Sequence, residues 1–266
     1  MKTLKNVLRR ALALLGYELR RLSEERVSFS NFANLAQAYE YRLNESDRVI
    51  VENEIRPRLL GRLQGTPPSE AYFIVQALSK CQDVRGDICE FGVAQGETSA
   101  LIGNEIQSSN KALHLFDSFE GLPEPTEKDQ LKDDIGSLGG MKVYAGTMSC
   151  PEDMVRSRLR AISFPPQRFV IHKGFIDEVL ANDSNLPESV SFAYVDFDFY
   201  EPIKVTLEFL HRTTSAGAIV IVDDYDFFST GAKTAVDEFL EGNKTSYECA
   251  VPNTRYGHFA VLTRKD

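Results

Sequence analysis

The stretch ICEFGVAQGETS, residues 88–99, joins an apolar run to a glycine-containing turn and the start of a helical pattern. The apolar residues over 88–93 predict a strand, and the pattern over 98–107 predicts a helix. Gly92 and Gly96 lie between the two, where glycine lets a backbone approach a ligand closely, and Thr98 or Ser99 can cap the helix. This order is typical of a nucleotide-like binding site in an α/β fold.

The alternation of strands and helices continues along the chain. Further strands are predicted over residues 112–116, 168–172, 191–197, 218–222, 247–251 and 258–263, and helices over residues 69–79, 152–161, 202–211 and 232–240. Such alternation predicts a mainly parallel sheet covered on both faces. The last two strands have no helix between them and predict an antiparallel hairpin, turned at Pro252 and Asn253. We therefore expect a Rossmann-like α/β fold with seven strands.

The composition bounds the class of protein. The chain has 266 residues, and no apolar run is long enough to span a bilayer. Its formal net charge of -9 repels phosphate backbones, so nucleic acid is not an expected partner. The four cysteines show no CxxC pair and no zinc spacing, which indicates reduced thiols in a cytoplasmic protein.

Residues 1–65 are predicted to be a helical N-terminal region, followed by the catalytic domain over residues 66–266. Residues Gly65 to Ser69 are predicted to form a turn between the two regions and to cap the helix that starts at Ser69. Residues 1–26 are basic, and one helical face there is formed by Leu4, Val7, Leu8, Ala11 and Leu15. That face can lie on an anionic membrane or pack within the protein, as an oligomer contact or a lid; we expect packing, without membrane association.

The first candidate site follows the first two predicted strands. Glu90 precedes the glycines, whose spacing is not G-x-G-x-x-G; a carboxylate there repels a pyrophosphate and suits a cationic cofactor such as S-adenosylmethionine. Asp117, at the end of the second strand, is placed to bind a ribose diol, although it can also simply begin a turn. The predicted cofactor-binding residues are Glu90, Gly92, Gly96, Thr98, Asp117, Ser118, Gly174 and Phe175.

The second candidate site is a group of carboxylates. Asp196 and Asp198 end one predicted strand, and Asp223 with Asp224 ends the next. Carboxylates at neighbouring strand ends converge on the crevice where open α/β sheets bind ligands. Because close like charges are costly, a hard divalent cation such as Mg²⁺ is expected among these carboxylates. The alternative for the Asp223-Asp224 pair is a polar strand end beside a helix cap.

A long charged region, residues 120–150, interrupts the regular pattern and contains Gly136, Gly139 and Gly140. This composition is typical of an active-site lid or mobile loop.

Taken together, these residues resemble the sugar O-methyltransferases typified by macrocin O-methyltransferase. The strings that carry the resemblance are Glu90-Phe91-Gly92-Val93 with Gly96, Asp117-Ser118-Phe119-Glu120-Gly121-Leu122-Pro123, Asp196-x-Asp198-x-Tyr200-Glu201, Gly217 leading to Ile221-Val222-Asp223-Asp224-Tyr225, and Ala235-Val236-Asp237-Glu238-Phe239. Residues 94–97 and 197–202 depart from the usual family strings, but no carboxylate is lost.

The resemblance implies a class I, seven-strand methyltransferase fold with S-adenosylmethionine as donor and Mg²⁺ as cofactor. The family's metal aspartates fall on Asp196, Asp223 and Asp224, its ribose-binding acid on Asp117, and its general base on Asp196. It further implies a homo-oligomer that methylates a sugar hydroxyl on a glycosylated small molecule, a natural product.

Two other classes stay open on the sequence. A nucleotide-dependent oxidoreductase can use the same doubly wound sheet, but Glu90 and the glycine spacing oppose it. A non-catalytic, membrane-associated protein can use the basic N-terminal helix, but that reading leaves the carboxylates unexplained.

Overall fold

The computed structural model describes residues 55–134, 139–252 and 257–265. Seven strands form one sheet: β1 (Asp87–Phe91), β2 (Leu113–Asp117), β3 (Phe169–Lys173), β4 (Val190–Val195), β5 (Thr214–Val222), β6 (Tyr247–Ala250) and β7 (Ala260–Arg264). Their order across the sheet is β3-β2-β1-β4-β5-β7-β6. The strands up to β5 pair in parallel, and β7 runs antiparallel to both β5 and β6, which confirms the predicted sheet and hairpin.

Seven helices cover the two faces of the sheet in the described part of the chain. They are α1 (Arg56–Leu60), α2 (Pro68–Lys80), α3 (Glu97–Glu105), α4 (Glu152–Ala161), α5 (Ile176–Asn182), α6 (Tyr200–Thr213) and α7 (Gly231–Gly242). Residues of α1 to α4 join one hydrophobic core, and residues of α5 to α7 join a second. The sheet therefore separates two cores, as expected for strands that are buried on both faces.

Alternation along each strand decides which side chain enters which core. In β4, Phe192 and Tyr194 lie in the core with α1 to α4, whereas Ala193 and Val195 lie in the core with α5 to α7. The same period places Ile88 of β1 in the first core. Because each core is apolar, any acidic side chain among these positions is an exception that needs a reason.

The predicted side-chain caps of two helices are wrong. The helix α3 begins at Glu97 after Gly96, which has φ 78° and no side-chain cap, so Thr98 and Ser99 lie inside the helix. The helix α2 begins at Pro68 and not at Ser69. A left-handed glycine and an N-terminal proline each start a helix without a capping side chain.

The predicted N-terminal helix, with its basic residues, lies outside the described residues up to residue 54. Within the predicted region 1–65, α1 packs on the catalytic core through Leu59 and through an ion pair from Arg56 to Glu105 of α3, at 2.5 Å. The domain division at residue 66 stays a prediction. None of the described helices is both long enough and apolar enough to cross a membrane.

Candidate functional site

The loops that follow β1, β2, β4 and β5 lie at one edge of the sheet, where its parallel strands end. Backbone hydrogen bonds continue the strand pairing into these loops: the Asp196 N–H donates to the Phe91 carbonyl at 2.7 Å, and the Asp223 N–H donates to the Val195 carbonyl at 2.8 Å. Each loop has a non-glycine residue with positive φ within three residues of its strand, namely Ala94 (44°), Phe119 (58°), Asp198 (60°) and Asp224 (55°). Strained backbone of this kind concentrates at functional sites.

Three carboxylates meet beyond β4 and β5. Asp196, Asp198 and Asp224 each offer an oxygen atom, and these atoms all lie within 4.8 Å of one another. Hard divalent cations such as Mg²⁺ take oxygen ligands of this kind. The arrangement can therefore hold a divalent cation at the edge of the sheet.

This group differs from the predicted metal set in one member. Asp223 stands outside it: one of its oxygens accepts the Asp224 N–H at 2.7 Å, and the other accepts the Tyr194 hydroxyl at 3.1 Å. Asp198 takes its place, two residues after Asp196 and in a left-handed conformation that turns the chain back. The only sequence signal for Asp198 was its position in the same acidic strand end. A ligand role for Asp223 stays a prediction.

The electrostatics of the group favour the binding of a cation. Burial raises the pKa of Asp196 and of Asp224 well above the usual range, and the charge of Asp223 raises both further. Burial also raises the pKa of Asp198 to about 6. Carboxylates that raise each other's pKa are stabilised in their charged form by a divalent cation, so the donor set fits Mg²⁺.

A fourth element, α2, adds a carboxylate that the sequence analysis missed. Glu70, in the first turn of α2, is 0% exposed and lies against Asp223. Burial raises its pKa well above the usual range, and the charge of Asp223 adds to this effect. No sequence signal marked it, because a glutamate in the first turn of a helix is common for its favourable interaction with the helix dipole.

The predicted ribose-binding residue, Asp117, is engaged by the chain's own backbone. One of its oxygens accepts the N–H groups of Val93 and Ala94 at 2.7 and 2.8 Å, and the other accepts the Phe119 N–H at 2.6 Å. Asp117 thus ties the glycine loop after β1 to the end of β2. Contact with a ribose stays a prediction.

Glu90 lies deeper, within β1. It is 0% exposed, and neither its carboxylate oxygens nor the hydroxyl of Ser99 in α3 has a hydrogen-bond partner among the described residues. Burial, helped by the charge of Asp117, raises the pKa of Glu90 to about 8. A nearby positive charge would favour its ionised form. Because the carboxylate is enclosed, direct contact with a cofactor stays a prediction.

The two glycines of the loop after β1 are required by the fold itself. A Cβ at Gly92 would lie 1.8 Å from the backbone oxygen of Asp196, and a Cβ at Gly96 would lie 3.0 Å from the Cα of Val155 in α4. Both also have positive φ. The close approaches that they permit are made by the chain's own atoms, and their contact with a cofactor stays a prediction.

The remaining predicted cofactor residues lie at the same edge of the sheet or behind it. The Ser118 hydroxyl bonds within its own turn, and the Thr98 hydroxyl lies 2.7 Å from that of Thr66. Gly174 and Phe175 connect β3 to α5. The Gly174 N–H donates to the Asp117 carbonyl at 3.0 Å, and the ligand contacts of all four residues stay predictions.

The predicted lid is anchored in its first part by another buried carboxylate. Asp129, 4% exposed, accepts the N–H of Tyr200 at the start of α6 at 2.7 Å and the N–H of Thr126 at the same distance. Gly231 leaves room for it, since a Cβ there would lie 2.0 Å from an Asp129 oxygen. Residues 135–138 lie outside the described residues, so closure of the loop as a lid stays a prediction.

Solved structures of methyltransferases share the fold. The O-methyltransferase NovP is 21% identical, with 90% of this chain and 100% of that chain covered and a TM-score of 0.65. CalS11, a calicheamicin methyltransferase, is 22% identical, with coverages of 93% and 95% and a TM-score of 0.63. TomG from Streptomyces achromogenes, solved with S-adenosylmethionine, is 14% identical, with coverages of 86% and 98% and a TM-score of 0.51. A comparison with curated proteins gave no match.

A family-level match agrees with the resemblance that the sequence strings predicted. The model of the family described as macrocin O-methyltransferase (TylF) matches residues 73–251, about two thirds of the chain. This match decides against the oxidoreductase and the non-catalytic alternatives, and it confirms the predicted family and fold class. The chain is an S-adenosylmethionine-dependent O-methyltransferase and belongs to the macrocin O-methyltransferase family.

Proposed function

We propose that the protein methylates a hydroxyl group of a sugar on a small molecule, with a divalent cation, Mg²⁺, at the edge of the sheet. The observation that carries the proposal is the group of Asp196, Asp198 and Asp224, whose oxygens lie within 4.8 Å of one another. A methyltransferase whose donor is already activated does not need a carboxylate cluster to bind that donor. The cluster has a role if it binds a cation that in turn holds vicinal sugar oxygens. One solved relative, CalS11, is described as a TDP-rhamnose 3'-O-methyltransferase, which supports a sugar acceptor.

The residues fit both groups that the reaction requires. The enclosed carboxyl group of Glu90 lies near the predicted cofactor position, and a bound sulfonium or ammonium group would favour its ionised form. The oxygen-only donor set beyond β4 and β5 fits Mg²⁺. When bound, S-adenosylmethionine supplies an activated methyl group, and the cation lowers the pKa of an acceptor hydroxyl.

The chain's own residues then have three tasks. Asp196, which follows β4, accepts the proton that leaves the acceptor hydroxyl, the role that the family resemblance gives it, and the Tyr194 hydroxyl donates to its carboxylate at 3.4 Å. Asp117 keeps the loop after β1 in place through its three backbone hydrogen bonds. Asp129 anchors the long loop beside α6 and so shields the reacting groups from water.

Calorimetric titration with S-adenosylhomocysteine, with NAD in parallel, tests the cofactor part of the proposal. We expect micromolar binding of S-adenosylhomocysteine and none of NAD. Turnover with glycosylated acceptors, or with nucleotide-linked sugars, in Mg²⁺ and in excess EDTA tests the rest. Methylation of these acceptors at the same rate in EDTA would refute the cation, and binding of NAD alone would refute the cofactor assignment.

Three further features belong to the proposal. The acceptor is a glycosylated natural product, the protein acts in the cytoplasm, and it forms a homo-oligomer. Size-exclusion chromatography with light scattering measures the last of these, and a monomer at micromolar concentration would refute it.

A further inference from the structure

Glu70 has an unusual environment for a glutamate. Its side chain is 0% exposed, and neither carboxylate oxygen finds a hydrogen-bond donor among the residues that the structure describes. It comes from α2, ahead of the segment over residues 73–251 that matches the family. A carboxylate in such a position is unstable unless something cationic or a donor reaches it.

The surroundings of Glu70 contain further acids in place of donors. Its carboxyl group lies against that of Asp223, and Asp196 and Asp224 also act on it electrostatically. The nearby hydroxyl, that of Tyr194, is directed to Asp223 and Asp196, at 3.1 and 3.4 Å. The free oxygens of Glu70 therefore face the acidic cluster, which is where a cation would be bound.

We propose that Glu70 belongs to the cation-binding site, and that with Asp223 it supplies the inner part of the negative charge that holds the divalent ion near Asp196 and Asp224. The inference rests on the proposed function, which places the cation at this edge. It deepens that proposal by adding a residue that precedes the family segment. The inference also gives Asp223 a role, although Asp223 is not a member of the three-carboxylate group.

Two observations favour a cation over other partners for Glu70. The groups that act on it electrostatically, Asp223, Asp196 and Asp224, are all acidic. The Thr66 hydroxyl lies 2.7 Å from that of Thr98 and 3.5 Å from that of Tyr194, so its shorter contact is with Thr98. An inorganic cation near these carboxylates would give the negative charge of Glu70 a partner.

Binding of Mg²⁺ and Mn²⁺ to the full-length protein tests the inference by calorimetry, with the variant Glu70→Gln. Glu152→Gln is the matched control, because Glu152 also lies in the first turn of a helix, α4, but pairs with Arg156 at 2.6 Å. We expect Glu70→Gln to weaken cation binding at least about tenfold. Glu152→Gln should bind the cation as the wild type does, and all three proteins should bind S-adenosylhomocysteine equally.

Unchanged cation affinity in Glu70→Gln would overturn the inference; it is also the result expected if a basic residue of the chain pairs with Glu70. If Glu70→Gln does not fold, Glu70→Asp is used in its place. The aspartate keeps the carboxylate, but its side chain is shorter by one methylene group, so the charge lies farther from the cluster. We then expect a loss of several-fold, and equal affinity would again overturn the inference. Wild-type protein that binds S-adenosylhomocysteine but no cation refutes the inference and leaves the methyltransferase activity intact. If the wild type does not bind S-adenosylhomocysteine but Glu70→Gln binds the cation more weakly than the wild type, the proposed cofactor is refuted and the inference about Glu70 is not.

Discussion

The ends of β2 and β5 place acidic residues at the same edge of the sheet, yet their surroundings are opposite. At the end of β2, Asp117 receives three backbone N–H groups from the loops around it. At the end of β5, Asp223 and Asp224 face Asp196, Asp198 and Glu70, all of them acids. Asp117 is surrounded by backbone donors, whereas at the end of β5 the neighbouring acids raise the pKa of Asp224, although Asp223 itself accepts the Asp224 N–H and the Tyr194 hydroxyl.

The difference separates two uses of a carboxylate. Asp117 organises backbone and stabilises a loop whether or not a ligand is present, because its partners belong to the fold. The carboxylates near β5 destabilise the ion-free protein through their mutual repulsion and burial, which is the kind of cost that functional sites carry. Variants at the two ends should therefore differ in what they lose.

The largest effect is expected for Asp196→Asn. It removes the proposed proton acceptor, so kcat should fall by about 10² to 10⁴. Binding of S-adenosylhomocysteine should change by less than about threefold, since β1 and β2 are untouched. Initial rates and calorimetry measure both quantities. Asp226→Asn, an exposed neighbour that pairs with Lys132, is the control and should keep full turnover; unchanged kcat in Asp196→Asn would break the distinction between the two ends.

The second largest effect is expected at Glu90, in the dependence of the free energy of unfolding on pH. Its pKa in the folded protein is about 8, above the unfolded value near 4.5, so its contribution to stability is fully present below that lower value and is lost as the pH rises through 8. The wild type should therefore lose stability relative to Glu90→Gln between pH 5 and pH 8, by at most about 1.4 kcal/mol per pH unit. Thermal unfolding of both proteins across this window measures it, and a constant difference would contradict the burial of a neutral carboxyl.

The third effect is the gain in stability when Mg²⁺ is added. A cation that binds the folded state at a hundred times its Kd stabilises it by about 2.7 kcal/mol. We expect the wild type to show this gain, and Asp198→Asn and Asp224→Asn to lose most of it. Urea unfolding of each protein with and without Mg²⁺ measures the gain. An equal gain in Asp224→Asn would mean that the three-carboxylate group does not hold the ion.

The smallest effect is expected for Asp117→Ala. Loss of one acceptor for three backbone N–H groups should lower the free energy of unfolding by about 2 kcal/mol. The stabilisation by Mg²⁺ should stay as in the wild type, because the change lies at the other end. Asp117→Asn, which keeps one carbonyl oxygen, should lose less. A reduced Mg²⁺ response in Asp117→Ala would show that the two ends are coupled.

The fold was largely predictable because its signals are local. Apolar strands that alternate with helices define the sheet, and the missing helix before β7 defines the hairpin. The helix α5 was missed because its seven residues, Ile176–Asn182, are too few for a helical period to emerge. The first half of β5 was missed because Thr214 to Gly217 are polar or small.

The candidate site was predictable only where the sequence itself brings acids together. Asp196 and Asp224 follow strands, so their convergence follows from a parallel sheet. Glu70 reaches the site from the start of a helix, and Asp129 anchors a long loop; the burial of both depends on packing that no sequence pattern encodes. The contact between the rings of His114 and His172, at 2.9 Å, likewise depends on the pairing of β2 with β3.

The position of β7 has a consequence for how the protein is made. β7 lies between β5 and β6 although it follows both in the chain. As the chain leaves the ribosome, β6 emerges before the strand on which it must pair, so the far side of the sheet stays open until Ala260–Arg264 has been synthesised. A premature stop before Ala260 would leave β5 as an exposed edge, available for pairing between nascent chains.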